Sequence, residues 1–487
     1  MGVTISFKKI SAIFINSFFV AVFFFLYYLS DIQNVSQIAL VGILQYIWMI
    51  ISWYVFTKKW MNVYLFFLVL SFFFYLGQPV LYLFNIEFTA YMTIFHSPFT
   101  VEQINTTLIF LLKGMALFHL GASIAIQNIK ENVTVAPSNK KAMVFVGMLF
   151  FIVSVIPQLT YTIDSLRTTI TVGYSAIFES DFRQGTGLEG GIPRFLSGFF
   201  KPSLLLLILG NKDNKKRMNF WMGFAVVFCL LMIASGQRGS NTLFILALIM
   251  VYHYAIKPLN KKSVIKFGVL AVIGVSVLSV ISDIRNIGLS NIGLSELRIL
   301  FVEENPFISL LGEMGFTLIA CTTVMVYSPS VVPFNDGATY VNSLFGLLPN
   351  LFWDVNPAAV GGVDQVFKSF LLHYGGMGSS FIIEAYYNFG HYGLLIMPIF
   401  GYLIGRLHFS IVKASLTNNY LKLFMGIYLT TIVLWFVRSE TITFWRNFGY
   451  YTVIPLIMVA FYTALARKMN PSRINSVNNM QNIERHN

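Results

Sequence analysis

Long apolar runs separated by short polar breaks dominate the chain. A lipid span needs about 20 mostly apolar residues. Twelve stretches qualify, at roughly 11–29, 36–56, 62–84, 104–127, 142–160, 195–210, 219–235, 239–256, 264–282, 379–405, 421–437 and 449–466. The pattern therefore predicts an all-α, polytopic integral membrane protein of about twelve transmembrane helices. One transmembrane domain covers 1–470, and a polar tail covers 471–487. Lys8 and Lys9 precede an apolar run too long for a cleavable signal and lacking a small-residue cleavage site, so the first span is expected to stay as an anchor.

The polar breaks set the orientation. Of the 33 Lys and Arg, 22 fall in one alternate set of connections, among them Lys58, Lys59, Lys140, Lys212, Lys215, Lys216, Lys261, Lys262 and Lys413. Basic residues accumulate on the cytoplasmic side, so both termini are expected inside. Two connections are long, 161–194 and 283–378, and both fall outside. Loops of that length usually carry function. Within the second, 306–327 is apolar enough to span. Counting it would invert every later connection, so it is read as an interfacial or re-entrant helix with Glu313 facing protein.

Composition agrees: 56% of the 487 residues are hydrophobic, 11% are charged, and the mean hydropathy is +0.71. A soluble chain carries about 25% charged residues. The net charge of +13 is a topology signal and an attraction to anionic lipid, and it implies no nucleic-acid partner. Cys229 and Cys321 both sit in apolar runs, which predicts neither a disulfide nor a cysteine metal site. No spacing of His, Asp and Glu suggests a metal, and neither a nucleophile motif nor a phosphate-binding glycine loop is present.

The kind of basic residue differs between the two sides. Inside it is mostly Lys; outside, Arg167, Arg183, Arg194, Arg238, Arg285, Arg298, Arg438 and Arg446 outnumber Lys201 and Lys368. Arg offers a fixed fork that grips phosphate or carboxylate in a bidentate way. These arginines suit a phosphate-bearing ligand at headgroup depth, or else they pair with outside carboxylates such as Asp181, Glu189, Asp283, Glu296 and Glu440. Arg238, Arg285 and Arg438 sit at span ends that fix their depth, and Arg183 lies in a Gly-rich stretch of the first long loop.

A second cluster runs from His373 to Gly390. If the tenth span begins at Ser379 or Ser380, Glu384 lies about one turn inside it, with Tyr387 and Asn388 on the same face. An ionisable residue inside a span is a functional candidate by default. Glu384 therefore stands as a candidate base or as a salt-bridge partner of one of the arginines. His373 is a second candidate base near neutral pH, or simply a solvated loop histidine.

The run Gly375-Gly-Met-Gly-Ser-Ser-Phe-Ile-Ile-Glu-Ala-Tyr-Tyr-Asn-Phe-Gly390 resembles the segment entering a late span of Wzy-type O-antigen and capsular repeat-unit polymerases. Gly401–Arg406, the Ser-Gly-Gln-Arg-Gly turn at 235–239, the Phe-rich helices and the two long loops fit that resemblance. It implies a membrane glycosyltransferase that needs no metal or cofactor. A growing glycan on undecaprenyl pyrophosphate is transferred to an incoming lipid-linked repeat unit, on the outer face of the bacterial cytoplasmic membrane. It also implies pyrophosphate-binding roles for Arg183, Arg238, Arg285 and Arg438, and a chain-length regulator protein as a candidate partner beside the lipid. Twelve spans equally suit a flippase of lipid-linked oligosaccharide, and an O-antigen ligase shares the donor. Those two readings stay open.

Overall fold

The computed structural model describes residues 7–88, 92–127 except 95, 139–171, 191–260 except 236, 305–348, 356–371 except 360, and 378–469, with isolated positions between 262 and 274. Among these residues the chain is helical throughout, without strands. The helices are α1 (Phe7–Leu29), α2 (Val35–Thr57), α3 (Val63–Leu83), α4 (Val101–Ile124), α5 (Lys140–Thr171), α6 (Gly191–Ser197), α7 (Phe200–Gly210), α8 (Lys215–Ala234) and α9 (Arg238–Val251). After the gap come α10 (Pro306–Tyr327), α11 (Ala338–Phe345), α12 (Val363–Phe367), α13 (Phe381–Phe389), α14 (Met397–Leu416), α15 (Tyr420–Trp435), α16 (Thr441–Phe448) and α17 (Ile454–Met469).

Among the described residues, twelve helical stretches are long and apolar enough to cross a membrane. Each expected span has a counterpart except 264–282, which lies almost wholly outside the described residues. The twelfth place is taken by α10. The stretch expected to form an interfacial or re-entrant helix is a continuous 22-residue helix, capped by Asn305 Oδ1 and packed along α3 and α4. Its length, about 33 Å at 1.5 Å per residue, suffices for a span.

A fold-back also occurs within the tenth expected span. Residues 379–405 read as one span, yet the chain folds back within it. A Cβ on Gly393 would fall 2.4 Å from the carbonyl oxygen of Ala385. Eight residues along a straight helix are about 12 Å apart, so the two segments must double over. Gly390 makes the turn at φ +57°, ψ −140°, a conformation that Cβ disfavours. Contacts with α4 give the directions: Ile382 meets Gly114 and Tyr386 meets Phe110, so α13 runs antiparallel to α4. Leu394 then returns to Gly114, and α14 continues past Gly121 to Ala125. The half-helix α13 thus starts level with the middle of α4 and climbs toward that helix's N-terminal end.

The hairpin is fixed by backbone contact. An ideal Cβ at Gly401 would lie 1.8 Å from the Phe118 carbonyl oxygen, and one at Gly121 would lie 1.9 Å from that of Pro398. Small residues let helices approach this closely where lipid supplies no hydrophobic drive between them. Below the hairpin, His119 ties α1 to α4: its ring meets Ser52 Oγ at 2.7 Å, Tyr64 OH at 2.6 Å and Asn16 Oδ1 at 3.1 Å.

The two ends of the bundle differ. At one end Lys140 pairs with Asp213 at 2.7 Å, Lys212 reaches Tyr420, and Tyr254 joins Met61 to Ser415. These are the Lys-rich connections of the sequence. The opposite end carries the start of α9, the end of α15 and the top of α13.

Candidate functional site

The half-helix α13 begins where lipid could not satisfy its free N–H groups. Ser380 Oγ accepts from Ile382 N at 3.1 Å and meets Tyr75 OH at 2.8 Å, and Tyr75 donates on to the Val437 carbonyl at 3.2 Å. Ser379 donates to Asp364 Oδ1 at 3.0 Å. Asp364 lies in the first turn of α12. One segment, 378–384, therefore holds α3, α12 and the 437–441 corner together.

Glu384, in the first turn of α13, is 1% exposed. Its Oε1 accepts from Thr339 Oγ1 at 2.8 Å; its Oε2 accepts from Thr441 N at 2.8 Å and Thr441 Oγ1 at 2.7 Å. Thr441 opens α16, so the carboxylate takes one of that helix's orphan N–H groups, a favourable position for negative charge. Asn388, one turn on, donates to Thr339 Oγ1 at 2.6 Å and to the Glu384 carbonyl at 2.7 Å. Glu384 forms no ion pair among the described residues; threonines, not an arginine, hold it. Among the described residues, the salt-bridge alternative raised for Glu384 is not realised.

Beside it, Glu440 is 9% exposed and accepts from Val363 N at 2.6 Å. Burial, reinforced by the nearby Asp364 and Glu384 carboxylates, pushes Glu440 up to about 8. Glu384 and Glu440 line one small cleft with Thr339, Asn342, Ser343 and Gly362.

Arg438 ends the corner after α15. Its guanidinium packs against the Cα of Gly378: a Cβ there would sit 2.4 Å from Nε and 3.1 Å from Cζ. The same group lies 5.7 Å from the Phe74 ring centroid. Gly378 itself has φ +68°, in the left-handed region. A cation and a pair of carboxylates thus flank the same short segment. This geometry can hold an anionic leaving group on one side and a hydroxyl on the other.

Of the residues singled out in the sequence, Glu384 and Arg438 share this segment. Arg238, the first residue of α9, pairs with Glu313 Oε1 at 2.7 Å. The pairing of an outside arginine with a carboxylate thus holds here, with Glu313 as the partner, a residue expected only to face protein. Gly239 beside it packs on the Trp435 ring of α15, three residues before Arg438. Arg183, Arg285 and His373 lie outside the described residues. Glu440, Asp364, Thr339 and Thr441 were not anticipated. Glu440 was weighed only as an arginine partner, and its proximity in sequence to Arg438 was the one signal available.

The fold and this polar centre define a multi-pass helical membrane protein with a buried carboxylate cleft beside an arginine. The model of the O-antigen polysaccharide polymerase Wzy family matches residues 12–470, nearly the whole chain. The chain belongs to that family, and so to the membrane enzymes of polysaccharide biosynthesis that join lipid-linked oligosaccharide repeat units. Comparison with curated proteins and with solved structures returns no match.

Proposed function

We propose that the chain transfers a growing glycan from undecaprenyl pyrophosphate to the end of an incoming lipid-linked repeat unit, on the outer face of the bacterial cytoplasmic membrane. The observation that carries this reading is the placement of Arg438 against Gly378 and of the Glu384–Glu440 cleft at the other end of the same segment. A pyrophosphate leaving group develops negative charge as the glycosidic carbon leaves it, and a preorganised guanidinium stabilises that charge. The acceptor hydroxyl needs a proton acceptor within hydrogen-bond reach, and the cleft supplies carboxylates. Arg238, with Arg183 and Arg285 from the long loops, is assigned to the same pyrophosphate-binding role as Arg438. Family membership supports the repeat-unit substrate. The Lys-rich end of the bundle supports the sidedness, since the positive-inside rule places that end in the cytoplasm and the cleft end outside.

The test uses purified full-length protein in lipid nanodiscs with undecaprenyl-pyrophosphate-linked repeat units and a chelator. Ladders of increasing glycan length are expected. Translocation of the lipid-linked unit without new glycosidic bonds would identify a flippase, and a single transfer to an unrelated acceptor would identify a ligase. Either result overturns the proposal.

A further inference from the structure

The two carboxylates of the cleft are not equivalent. Glu384 is met by three donors, two of them hydroxyls, so most of its lone-pair directions are taken. Moving it to meet a sugar would strip the first turn of α16 of an acceptor. Glu440 is held only by the backbone at Val363 and Asp364, with no side-chain donor among the described residues. Both its oxygens lie about 3.0 Å from where a Cβ on Gly362 would stand, so a glycine there lets the backbone come this close to the carboxylate. Ser439, between Arg438 and Glu440, is extended at φ −152°, ψ 169°. An extended residue sets its neighbours on one face, with Cα atoms about 7 Å apart. Arg438 and Glu440 are therefore presented by one corner, two residues apart.

We infer that Glu440 is the catalytic base that takes the proton of the acceptor sugar's hydroxyl, and that Glu384 is a positioning residue that fixes the corner carrying it. This rests on the polymerase reading above. In the step, the acceptor oxygen bonds to the anomeric carbon of the donor glycan, and its proton passes to the Glu440 carboxylate. The bond from that carbon to the phosphate oxygen breaks with its electron pair. Undecaprenyl pyrophosphate leaves with one added negative charge, which Arg438 meets, and Glu440 returns the proton to water. A base is most effective when its pKa lies near the working pH, and the raised value of Glu440 suits that role.

The experiment measures kcat, KM and the pH–rate profile for Glu440→Gln, Glu440→Asp and Glu384→Gln in nanodiscs. Glu440→Gln is expected to lower kcat by about 10² to 10⁴-fold, with KM for the lipid-linked unit changed less than about threefold. The unaltered enzyme's rate should rise with pH through an acid limb near 8; that limb should vanish in Glu440→Gln, return in Glu440→Asp, and persist in Glu384→Gln. Ladder formation by Glu440→Gln at the unaltered rate, or a retained acid limb, overturns Glu440 as the base and leaves the polymerase reading standing. No ladder from the unaltered chain overturns both.

Discussion

Substituting Gly378 by Ala tests whether the placement of Arg438 matters, without touching the arginine. The added methyl would start 2.4 Å from Arg438 Nε, whereas ordinary van der Waals contact begins near 3.4 Å. The guanidinium must therefore retreat by about 1 Å, away from its present seat beside Phe74. A misplacement of about 1 Å can cost on the order of 10²-fold in rate, equivalent to about 2.7 kcal/mol of transition-state stabilisation. The left-handed backbone at φ +68° adds roughly 1–2 kcal/mol of strain in the folded state, too little by itself to unfold a chain of this size. The assay is ladder formation in nanodiscs, with monodispersity on gel filtration as the folding control. Gly378→Ala should fall about 10²-fold while remaining monodisperse. The double variant with Arg438→Ala should be no slower than Arg438→Ala alone, because both changes remove the same interaction. A Gly378→Ala enzyme within threefold of normal, or losses that simply multiply in the double variant, would refute the argument.

Glu384→Ala should lower the thermal midpoint well below that of Glu384→Gln in a detergent unfolding scan, since it leaves the buried Thr441 N–H and Thr339 hydroxyl unsatisfied at about 1–3 kcal/mol each. Gly401→Val should abolish recovery of folded protein, because its Cβ would sit 1.8 Å from the Phe118 carbonyl oxygen; normal yields would contradict the described hairpin. Folded Glu440 keeps its proton up to about pH 8 while the unfolded chain releases it near 4.5. Between those values the folded state binds more protons, so stability should decline as pH rises. Glu440→Gln should lack that decline, and parallel melting curves for both proteins across pH 5–8 would count against the burial of this carboxyl.

The helical spans were legible because burial in lipid demands about 20 apolar residues in a row, a local property. Glu384 was legible for the same reason, as an ionisable residue in such a row. The fold-back at Gly390 was not. Residues 379–405 stay mostly apolar, and hydropathy carries no information on direction. Only Gly390 and Gly393 mark the reversal, and glycines are common in membrane helices. The partners of Glu384 were also hidden, since Thr339 and Thr441 stand 45 and 57 residues away in sequence. Arg238 and Glu313, 75 residues apart, met for the same tertiary reason. α10 was read as interfacial or re-entrant because one added span inverts every later connection; that argument counts loops and cannot see a fold-back within 379–405.

The half-helix gives a physical reason for where the carboxylates sit. A helix that crosses a bilayer keeps its first-turn N–H groups at the surface, where water satisfies them. One that starts partway down must find acceptors inside the protein. Ser380 serves as that cap, and the surrounding hydroxyl of Tyr75 and carboxylate of Asp364 hold Ser380 and Ser379 in turn. The groups gathered to satisfy this end are polar, and Asp364 among them also gives its backbone N–H to Glu440. Stability and chemistry thus draw on the same residues. Under the proposed function this placement also suits the substrate. The undecaprenyl tail lies in lipid, its pyrophosphate at headgroup depth and its sugars beyond, and a site floored by a half-helix can meet all three. A full span at this position would carry Glu384 on a continuous helix, with the Thr441 corner and Arg438 no longer able to close beneath it.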